Sequence, residues 1–346
     1  MIGTVQHYAW GDPTALPALL GRPSDGTPWA EWWLGTHPGA PASLADGTPL
    51  LDAAGELPYL VKVLAAAEPL SLQTHPDRAT AAAGFADEEH RGVPRDAGDR
   101  IFRDPYAKPE VVCALGPFEA LCGFRPIDDT LQVLADLQLT TVADLLATHG
   151  LAGTVATLLE RRVDVAPLVT ACSRSNHPTA RVVVELDRRW PGDPAAVVAA
   201  LLNHLVLARG EALHLEPGNL HAYLRGTAVE VMGPSDNVVR GGLTSKHVDV
   251  STLLSIVDFE PVTDPIVRAV EERPGRWRYP TAGTPFELWR WEIDAPDRHV
   301  ATGREILVCT SGRCGDLSAG TAAFLTPGET IELDGPATIH RVVETI

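Results

Sequence analysis

One stretch of this chain, residues 210–250, is rich in side chains that can do chemistry. Among them are one potential metal ligand, a phenol, two carboxylates and two cations: His221, Tyr223, Glu230, Asp236, Arg240 and Lys246. A histidine can bind a metal, a carboxylate can move a proton, and neighbouring cations can hold an anion. Few structural proteins need that mixture in so short a stretch, so we interpret it as part of an active site.

Three residues in two earlier segments could complete a metal site with His221. Gln73 and His75 in SLQTHPD lie two residues apart, so on a strand both side chains point to the same face. Glu110 follows in AKPEVVCAL, with Lys108 beside it. Oxygen and nitrogen donors of this kind suit Zn²⁺ first, with Fe²⁺, Co²⁺ or Mn²⁺ as alternatives. Taken singly, each residue is more often a satisfied polar group than a ligand, so spacing alone leaves the site open.

Taken together, the segments of the chain resemble one family, the type I mannose-6-phosphate isomerases. The resemblance lies in YAWG, AEWWLGTHP, LPYLVKVLAAAEPLSLQTHPD, KPEVVCALGPFEALCGFRP, GEALHLEPGNLHAYLRG and VEVMGPSDNVVRGGLTSKHVDV. These segments follow one another from Tyr8 to about Val250, and SDNVVRGGLTSK is the most specific of them. The likeness continues more faintly through the C-terminal part. It predicts an enzyme that interconverts mannose 6-phosphate and fructose 6-phosphate.

The resemblance also implies a set of site residues. One zinc ion per chain would be held by Gln73, His75, Glu110 and His221. The groups expected to act in catalysis or to line the sugar-phosphate cleft are Arg240, Asp236, Glu230, Lys246, Lys108 and Tyr223. Further candidates for contact with the substrate are Ser71, Lys62 and, at the edge of the cleft, Trp10.

The predicted reaction explains why such groups would be needed. Interconverting an aldose and a ketose moves a proton between C1 and C2 through a cis-enediolate, so negative charge on the carbonyl oxygen must be stabilised. A metal does this as a Lewis acid. With Glu110 as the only anionic ligand, a zinc site keeps a net charge near +1 and stays electrophilic. Arg240 and Lys246 would hold the phosphate of the substrate.

The group that transfers the proton is harder to predict. Members of the family usually have Asn-His before the Lys-Pro-Glu motif, and this chain has Tyr106 and Ala107 there. The loss of that histidine shifts the expectation to Glu230, Asp236 and Lys246, with Arg240 as an electrostatic partner. A carboxylate or an amine can serve if burial brings its pKa towards neutrality. We rank Asp236 and Arg240 first.

The secondary-structure pattern is mainly β with one helical segment. Residues 1–126 contain short apolar runs between turn residues, interrupted after Asp77 by a predicted helix and a solvated loop. From residue 128 to about 208 apolar residues recur at helical spacing, including the run PAAVVAALLNHLVLARG. Strand character returns at Gly210 and persists to the end, with turns spaced as in a jelly roll. The segment 127–208 is therefore predicted to be an all-helical insertion.

A short internal repeat suggests two copies of one β-fold. GEALHLEPG and GTAAFLTPG share the pattern G-x-A-x-x-L-x-P-G, offset by 110 residues. In that register Ile331 aligns with His221, so the second copy is expected to be structural. The resemblance to the family implies the same arrangement, two cupin domains of which only the first carries a metal. The predicted division is 1–126 with 209–262 for the catalytic cupin, 127–208 for the helices, and 263–346 for the second cupin.

Composition limits the classes of partner. The formal charge of −17 argues against nucleic acid and against anionic membranes. The start of the chain has no secretory pattern, and no window approaches eighteen consecutive apolar residues. Five scattered cysteines fit reduced thiols in the cytoplasm. We therefore expect a cytoplasmic monomer whose partner is a small sugar phosphate.

Two other functions fit parts of the sequence. Two histidines and one carboxylate also suit a non-haem iron oxygenase, although the two cations after SDN argue against it. The change at Ala107 would also fit a bicupin that binds a sugar phosphate without catalysis. Metal analysis would separate the first from an isomerase, and detection of fructose 6-phosphate would separate the second.

Overall fold

The computed structural model describes residues 1–345, in which strands predominate and most helical residues lie in one segment. The first strands are β1 Thr4–Gln6, β2 Glu31–Leu34, β3 Leu60–Ala66, β4 Leu72–Thr74, β5 Glu110–Ala114, β6 Phe118–Phe124, β7 Leu202–Leu207, β8 Ala212–Leu215, β9 His221–Met232, β10 Val239–Gly242 and β11 Ile266–Val267. The others are β12 Val270–Arg273, β13 Arg276–Arg278, β14 Phe286–Ile293, β15 Asp297–Val300, β16 Glu305–Cys314, β17 Leu317–Ser318, β18 Thr321–Leu325, β19 Thr330–Leu333 and β20 Ala337–Glu344. The helices are α1 Ala15–Leu19, α2 Leu50–Ala54, α3 Arg78–His90, α4 Ile127–Asp136, α5 Thr140–Leu159, α6 Ala166–Cys172, α7 Pro178–Arg189, α8 Ala195–Val198 and α9 Val250–Ile256, with a 3-10 turn at Ala199–Leu201.

The first jelly roll consists of two layers that share the long strand β9. In one layer β9 lies between β3 and β5, and β8 follows β5. In the other layer the first residues of β9 pair with β4 and β6. Gly226, where β9 passes from one layer to the other, has φ 119°, and a Cβ there would lie 2.6 Å from the Pro117 carbonyl oxygen. Glycine therefore allows one strand to contribute side chains to both walls of the same interior.

The C-terminal strands repeat this arrangement, as the internal repeat predicts. The order β14-β20-β16 with β18 beside β16 matches β3-β9-β5 with β8 beside β5. Glu305 pairs with Leu325 as Glu110 pairs with Leu215. His299 likewise pairs with Ile331 as Gln73 pairs with His221. The mainly β fold with two cupin-type jelly rolls is thus confirmed, and Ile331 occupies the position of His221.

A buried ion-pair cluster lies at the position in the second jelly roll that corresponds to Gln73, Glu110 and His221 in the first. Glu305 has no exposed surface, and the Nε and Nη2 atoms of Arg341 lie 2.7 and 2.5 Å from its two carboxylate oxygens. His299 Nε2 lies 2.7 Å from the same carboxylate. Burial would raise the pKa of Glu305, but Arg341 and His299 lower it to about 2. A guanidinium therefore neutralises the carboxylate here.

Replacing Arg341 with methionine should destabilise the protein strongly. Glu305 would stay buried without its cation, and breaking a buried pair in this way costs about 3–5 kcal/mol. Urea unfolding measures the loss, and Arg298→Met is the matched control because the Arg298 pair with Glu332 is exposed, at 3.4 Å. Equal stability of the two variants would show that the cluster contributes little.

Two sequence predictions of secondary structure are wrong. The helix predicted through residue 208 ends at Leu201, and Leu202–Leu207 is a strand that pairs with β6. On this strand His204 Nε2 lies 2.6 Å from a Glu119 carboxylate oxygen. In the region predicted to be β, Val250–Ile256 is a helix, capped by the Asp249 carboxylate, which accepts the Thr252 N–H. The helix predicted after Asp77 is confirmed as α3, and the Asp77 side chain caps it. The division into three domains stays a prediction.

One helix, α5, is long and apolar enough to cross a membrane by length and composition alone. Its backbone is broken at Gly150, which has φ 64° and ψ −174°. Each half is then about half of the roughly 20 residues that a span requires. The helix is better explained as two core helices, since Val155 and Leu158 are completely buried in the helical segment.

Apolar packing on the two outer faces leaves the interior of the first jelly roll for polar groups. The helical segment packs against the β4–β6 layer in one apolar cluster, which joins Leu121 and Phe124 to α4–α8. The other layer packs against the C-terminal sheet, for example Val63 and Val231 with Ile306. The first jelly roll is therefore held from both sides.

Candidate metal centre and active-site cavity

Charged side chains on the inner face of the first jelly roll alternate with valines on its outer face. In β3, Lys62 lies between two valines that pack towards the C-terminal sheet, and in β9 Glu230 is flanked in the same way. Lys62 and Glu230 are also direct neighbours across the two strands. Because successive side chains of a strand point to opposite faces, this sequence places both charges inside.

Three potential metal ligands converge in this interior. The ligand atoms of His75, Glu110 and His221 all lie within 4.8 Å of one another, and all three residues are buried. The Nε2 atoms of His75 and His221 lie 3.3 and 3.6 Å from Glu110 Oε2. Neither Nε2 atom has a hydrogen-bond partner. Unpartnered polar atoms are rare in protein interiors, and a metal bound between the three side chains would satisfy both imidazoles.

The two imidazoles are oriented as metal ligands would be. His75 Nδ1 lies 2.7 Å from the Asn237 carbonyl oxygen, and His221 Nδ1 lies 3.0 Å from that of Asn219. Each Nδ1–H therefore donates to the backbone, which leaves the Nε2 lone pair free for a metal. Burial lowers the pKa of both imidazoles, that of His221 to about 4, so both are neutral at pH 7.

The one carboxylate of the cluster is kept ionised by a lysine. Burial would raise the pKa of Glu110, but Lys108, with Nζ 3.0 Å from Oε1, and His75 hold it well below its usual range. Gln73 pairs with His221 across β4 and β9, and its Oε1 accepts a hydrogen bond of 2.9 Å from the Ser71 hydroxyl. Neutral nitrogen donors with one carboxylate fit zinc, and the participation of Gln73 as a fourth ligand stays a prediction.

A buried chain of ion pairs runs beside the metal centre. Lys62 Nζ lies 3.0 Å from Glu230 and 3.4 Å from Glu31, and the Tyr223 hydroxyl donates to Glu230 at 2.9 Å. Burial would lower the pKa of Lys62, but the Glu230 and Glu31 carboxylates outweigh it and raise the pKa. Burial raises the pKa of Glu230 although Lys62 opposes the shift. Lys62 is thus a fixed cation between two carboxylates.

The candidate metal centre and these ion pairs open into a cavity of about 1040 Å³. Its wall contains every residue that the sequence predicts for catalysis or substrate contact: Arg240, Asp236, Glu230, Lys246, Lys108, Tyr223, Ser71, Lys62 and Trp10. Gln73 and Glu110 reach the same wall. A cavity of this size can hold a hexose phosphate with room for water.

The cavity is also lined by three clustered cations, Arg103, Arg240 and Lys246. Burial lowers the pKa of Arg240, and the nearby Arg103 lowers it further. Burial also lowers the pKa of Lys246, and both Arg240 and Arg103 add to that shift. Within residues 1–345 none of the three forms a salt bridge. In a chain of net charge −17, three such cations indicate a site for an anion.

The asparagine of the SDN motif, Asn237, links the loop of Arg103 to the candidate metal centre. Asn237 Oδ1 accepts the Arg103 N–H at 2.7 Å, and its Nδ2 donates to the Asp104 and Tyr106 carbonyl oxygens at 2.8 and 3.0 Å. The Asn237 backbone carbonyl accepts from His75, as described above. One residue therefore holds both His75, a candidate metal ligand, and the loop that carries Arg103.

Sequence reasoning missed several residues of the site, chiefly Glu31, Arg103, Asp104 and Asn237. Glu31 and Arg103 line the cavity, and the other two hold its walls. The signal for Glu31 was its place in AEWWLG, since it lies on the strand next to β3 and is 6% exposed. No local sequence pattern marked Arg103, because its position depends on a hydrogen bond between its loop and Asn237, which is distant in the sequence.

Comparison with known proteins agrees with this geometry. Residues 1–127 match the model of the phosphomannose isomerase type I catalytic domain. Mannose-6-phosphate isomerase of Salmonella typhimurium is 37% identical over 293 residues, 75% of each chain. That of Escherichia coli is 34% identical over 373 residues, 95% of this chain and 93% of the relative. A crystal structure of the Salmonella enzyme bound to substrate and zinc covers 100% of this chain and 98% of its own, with TM-score 0.86 and 29% identity.

The fold and the site define a cupin whose first jelly roll encloses a candidate metal centre beside a cavity. The two relatives named above share more than 30% identity with it over most of both chains. The chain belongs to the type I phosphomannose isomerase family.

Proposed function

We propose that the protein is a zinc-dependent mannose-6-phosphate isomerase, which interconverts D-mannose 6-phosphate and D-fructose 6-phosphate. Relatives that cover most of the chain carry this name. The observation that carries the proposal is the pair of unpartnered imidazole nitrogens facing Glu110, beside a cavity that three clustered cations also line. A sugar phosphate that contacts the metal site with its sugar oxygens and the cations with its phosphate would satisfy both.

The chemistry needs an electrophile and a group that moves a proton. When bound by His75, Glu110 and His221, with Gln73 as the expected fourth ligand, zinc supplies Lewis-acid stabilisation of the negative charge that develops on the substrate oxygen. Lys108 lowers the pKa of the Glu110 carboxyl, which favours its anionic form. Lys62 adds a second fixed positive charge inside the cavity.

The group that moves the proton is Asp236 in this proposal. Glu230 is tied to Lys62 and Tyr223, whereas the Asp236 carboxylate is 54% exposed and lines the cavity. It takes the proton from C2 while the electron pair of that C–H bond forms the C1–C2 double bond of the enediolate. The hydroxyl proton passes from O2 to O1, and the protonated Asp236 returns its proton to C1. Glu230 remains the second candidate, since burial raises its pKa.

The phosphate of the substrate is expected to lie among Arg103, Arg240 and Lys246. One guanidinium group can bind two phosphate oxygens at once. A local cluster of cations also offsets the repulsion of an anion by a protein of charge −17. A neighbouring anion would also favour the charged forms of Arg240 and Lys246, whose pKa values burial lowers.

Replacing Arg103 with methionine should weaken substrate binding without changing the chemistry. We expect KM for mannose 6-phosphate to rise about tenfold, because one charge-assisted hydrogen bond contributes about 1.5–3 kcal/mol, while kcat stays within about twofold. Arg95→Met is the matched control, since Arg95 lies in the same loop region and pairs with Glu89 at 3.2 Å. An unchanged KM would remove Arg103 from the phosphate site.

A direct test of the function measures the conversion of each sugar phosphate into the other. The same experiment tests for the two alternatives, an oxygenase and a non-catalytic binding protein. Zinc-loaded protein should convert mannose 6-phosphate to fructose 6-phosphate and the reverse, with no uptake of oxygen. Bound iron with oxygen consumption would support an oxygenase. Binding of mannose 6-phosphate without any fructose 6-phosphate would support a non-catalytic bicupin, for which Ala107 is the motivating difference.

We further propose that the enzyme acts in the cytoplasm as a monomer on this small sugar phosphate. The five cysteines are all free and buried, which fits a reducing compartment. Zinc binding, one ion per chain, needs no second subunit, because every proposed ligand comes from the same jelly roll. Light scattering on purified protein would test the monomer.

A further inference from the structure

A histidine outside the predicted site, His37, lies directly behind the cavity wall. It follows β2 in the sequence, is 5% exposed, and packs edge-on against Trp33, with ring centroids 5.1 Å apart. Lys108 and Asp104, on either side of Ala107, are near enough to contribute to its pKa. An imidazole is therefore present on this side of the cavity, although position 107 has none.

The protonation of His37 follows from its contacts. The Gly39 N–H donates to His37 Nδ1 at 3.1 Å, so Nδ1 carries a lone pair. Burial is the largest influence on the imidazole and lowers its pKa; among the charged groups around it, Lys62 and Lys108 act in the same direction, against Asp236 and Asp104. The neutral ring must then carry its proton on Nε2. That atom lies 3.5 Å from Asp236 Oδ1.

The Asp236 carboxylate has no other polar side-chain contact among residues 1–345. Its backbone is fixed, because the Asp236 N–H donates to Asp104 Oδ2 at 2.8 Å and the next residue, Asn237, accepts from His75. Its side chain, however, is half exposed at the cavity wall. Without His37 the carboxylate could rotate freely about its side-chain bonds.

We propose that His37 is a positioning residue for Asp236: its Nε2–H holds one carboxylate oxygen and leaves the other free to move the substrate proton. The proposal rests on the proposed function, in which Asp236 takes the C2 proton and returns it to C1. Because the contact fixes the geometry of a reacting group, it should affect kcat more than substrate binding.

Two variants separate positioning from packing. His37→Phe keeps a flat ring but removes the donor, and we expect it to lower kcat about thirtyfold with KM within about twofold. His37→Gln places an N–H near the original Nε2 and should recover kcat to within about fivefold of the wild type. In an Asp236→Asn background, His37→Phe should cause little further loss. His149→Phe, in the helical segment, is the control for loss of a histidine.

The result that would overturn the proposal is a full kcat for His37→Phe, or an equal loss in the presence and absence of Asp236. Parallel loss of kcat, zinc content and thermal stability would show a structural role instead. Nitrogen NMR of the wild type tests the contact without any assay: the His37 signals should report a neutral ring protonated at Nε2 and should shift in Asp236→Asn. A wild-type protein that does not isomerise would refute the proposed function, while a ring protonated at Nδ1 would refute this inference.

Discussion

Replacing His221 with alanine is expected to release the zinc ion and to reduce kcat for mannose 6-phosphate by roughly a thousandfold or more. His221 Nε2 is buried and unpartnered, and faces the Glu110 carboxylate at 3.6 Å. With alanine at position 221, only His75 and Glu110 of the three converging side chains remain. Two such ligands are too few to hold a metal tightly. The measurement is zinc per chain by mass spectrometry, together with the rate of isomerisation.

His214 provides the matched control for this variant. It lies in β8, seven residues before His221, and pairs with Val111 in a different part of the sheet. His214→Ala should keep one zinc per chain and a kcat within about threefold of the wild type. If His221→Ala retained both its zinc and its rate, the metal centre would have been assigned to the wrong residues.

Replacing Lys62 with methionine is expected to affect both activity and stability. Glu31 and Glu230, which are 6% and 3% exposed, would lose the ammonium that lies between them. Two uncompensated carboxylates beside Glu110 should reduce the free energy of unfolding by about 3–5 kcal/mol. The cavity would also lose a fixed cation, so kcat should fall at least a hundredfold. Urea unfolding and the isomerase assay measure the two effects separately.

A double variant separates the two roles of Lys62. Lys62→Met with Glu230→Gln removes one charge of each sign, so most of the lost stability should return. Activity should stay low, because the cation is still missing. Recovery of activity in the double variant would show that Lys62 serves only to balance Glu230.

The candidate ligands could be predicted from sequence because they lie in strands or directly beside them. Gln73 lies in the short strand β4 and His75 directly follows it, and Lys62 and Glu230 each stand between valines that turn to the outer face. These patterns fix which way a side chain points, and the resemblance to a family then fixes which residues meet. The convergence of His75, Glu110 and His221 agrees with that prediction.

The remaining features depend on contacts between distant segments. Leu202–Leu207 has an apolar composition that suits a helix, and it becomes a strand because β6 offers a free edge. Val250–Ile256 becomes a helix through its Asp249 cap at the end of a region of strands. Arg103 reaches the cavity only because Asn237, more than a hundred residues later, holds its loop. Local sequence patterns do not predict such contacts between distant segments.

The central claim is tested most directly by measuring isomerisation of mannose 6-phosphate against zinc content in one preparation. Metal-free protein, reloaded in steps, should gain activity in proportion to bound zinc and reach its maximum at one ion per chain. A metal-free protein that turns over at the full rate, or a fully loaded protein that forms no fructose 6-phosphate, would contradict the account.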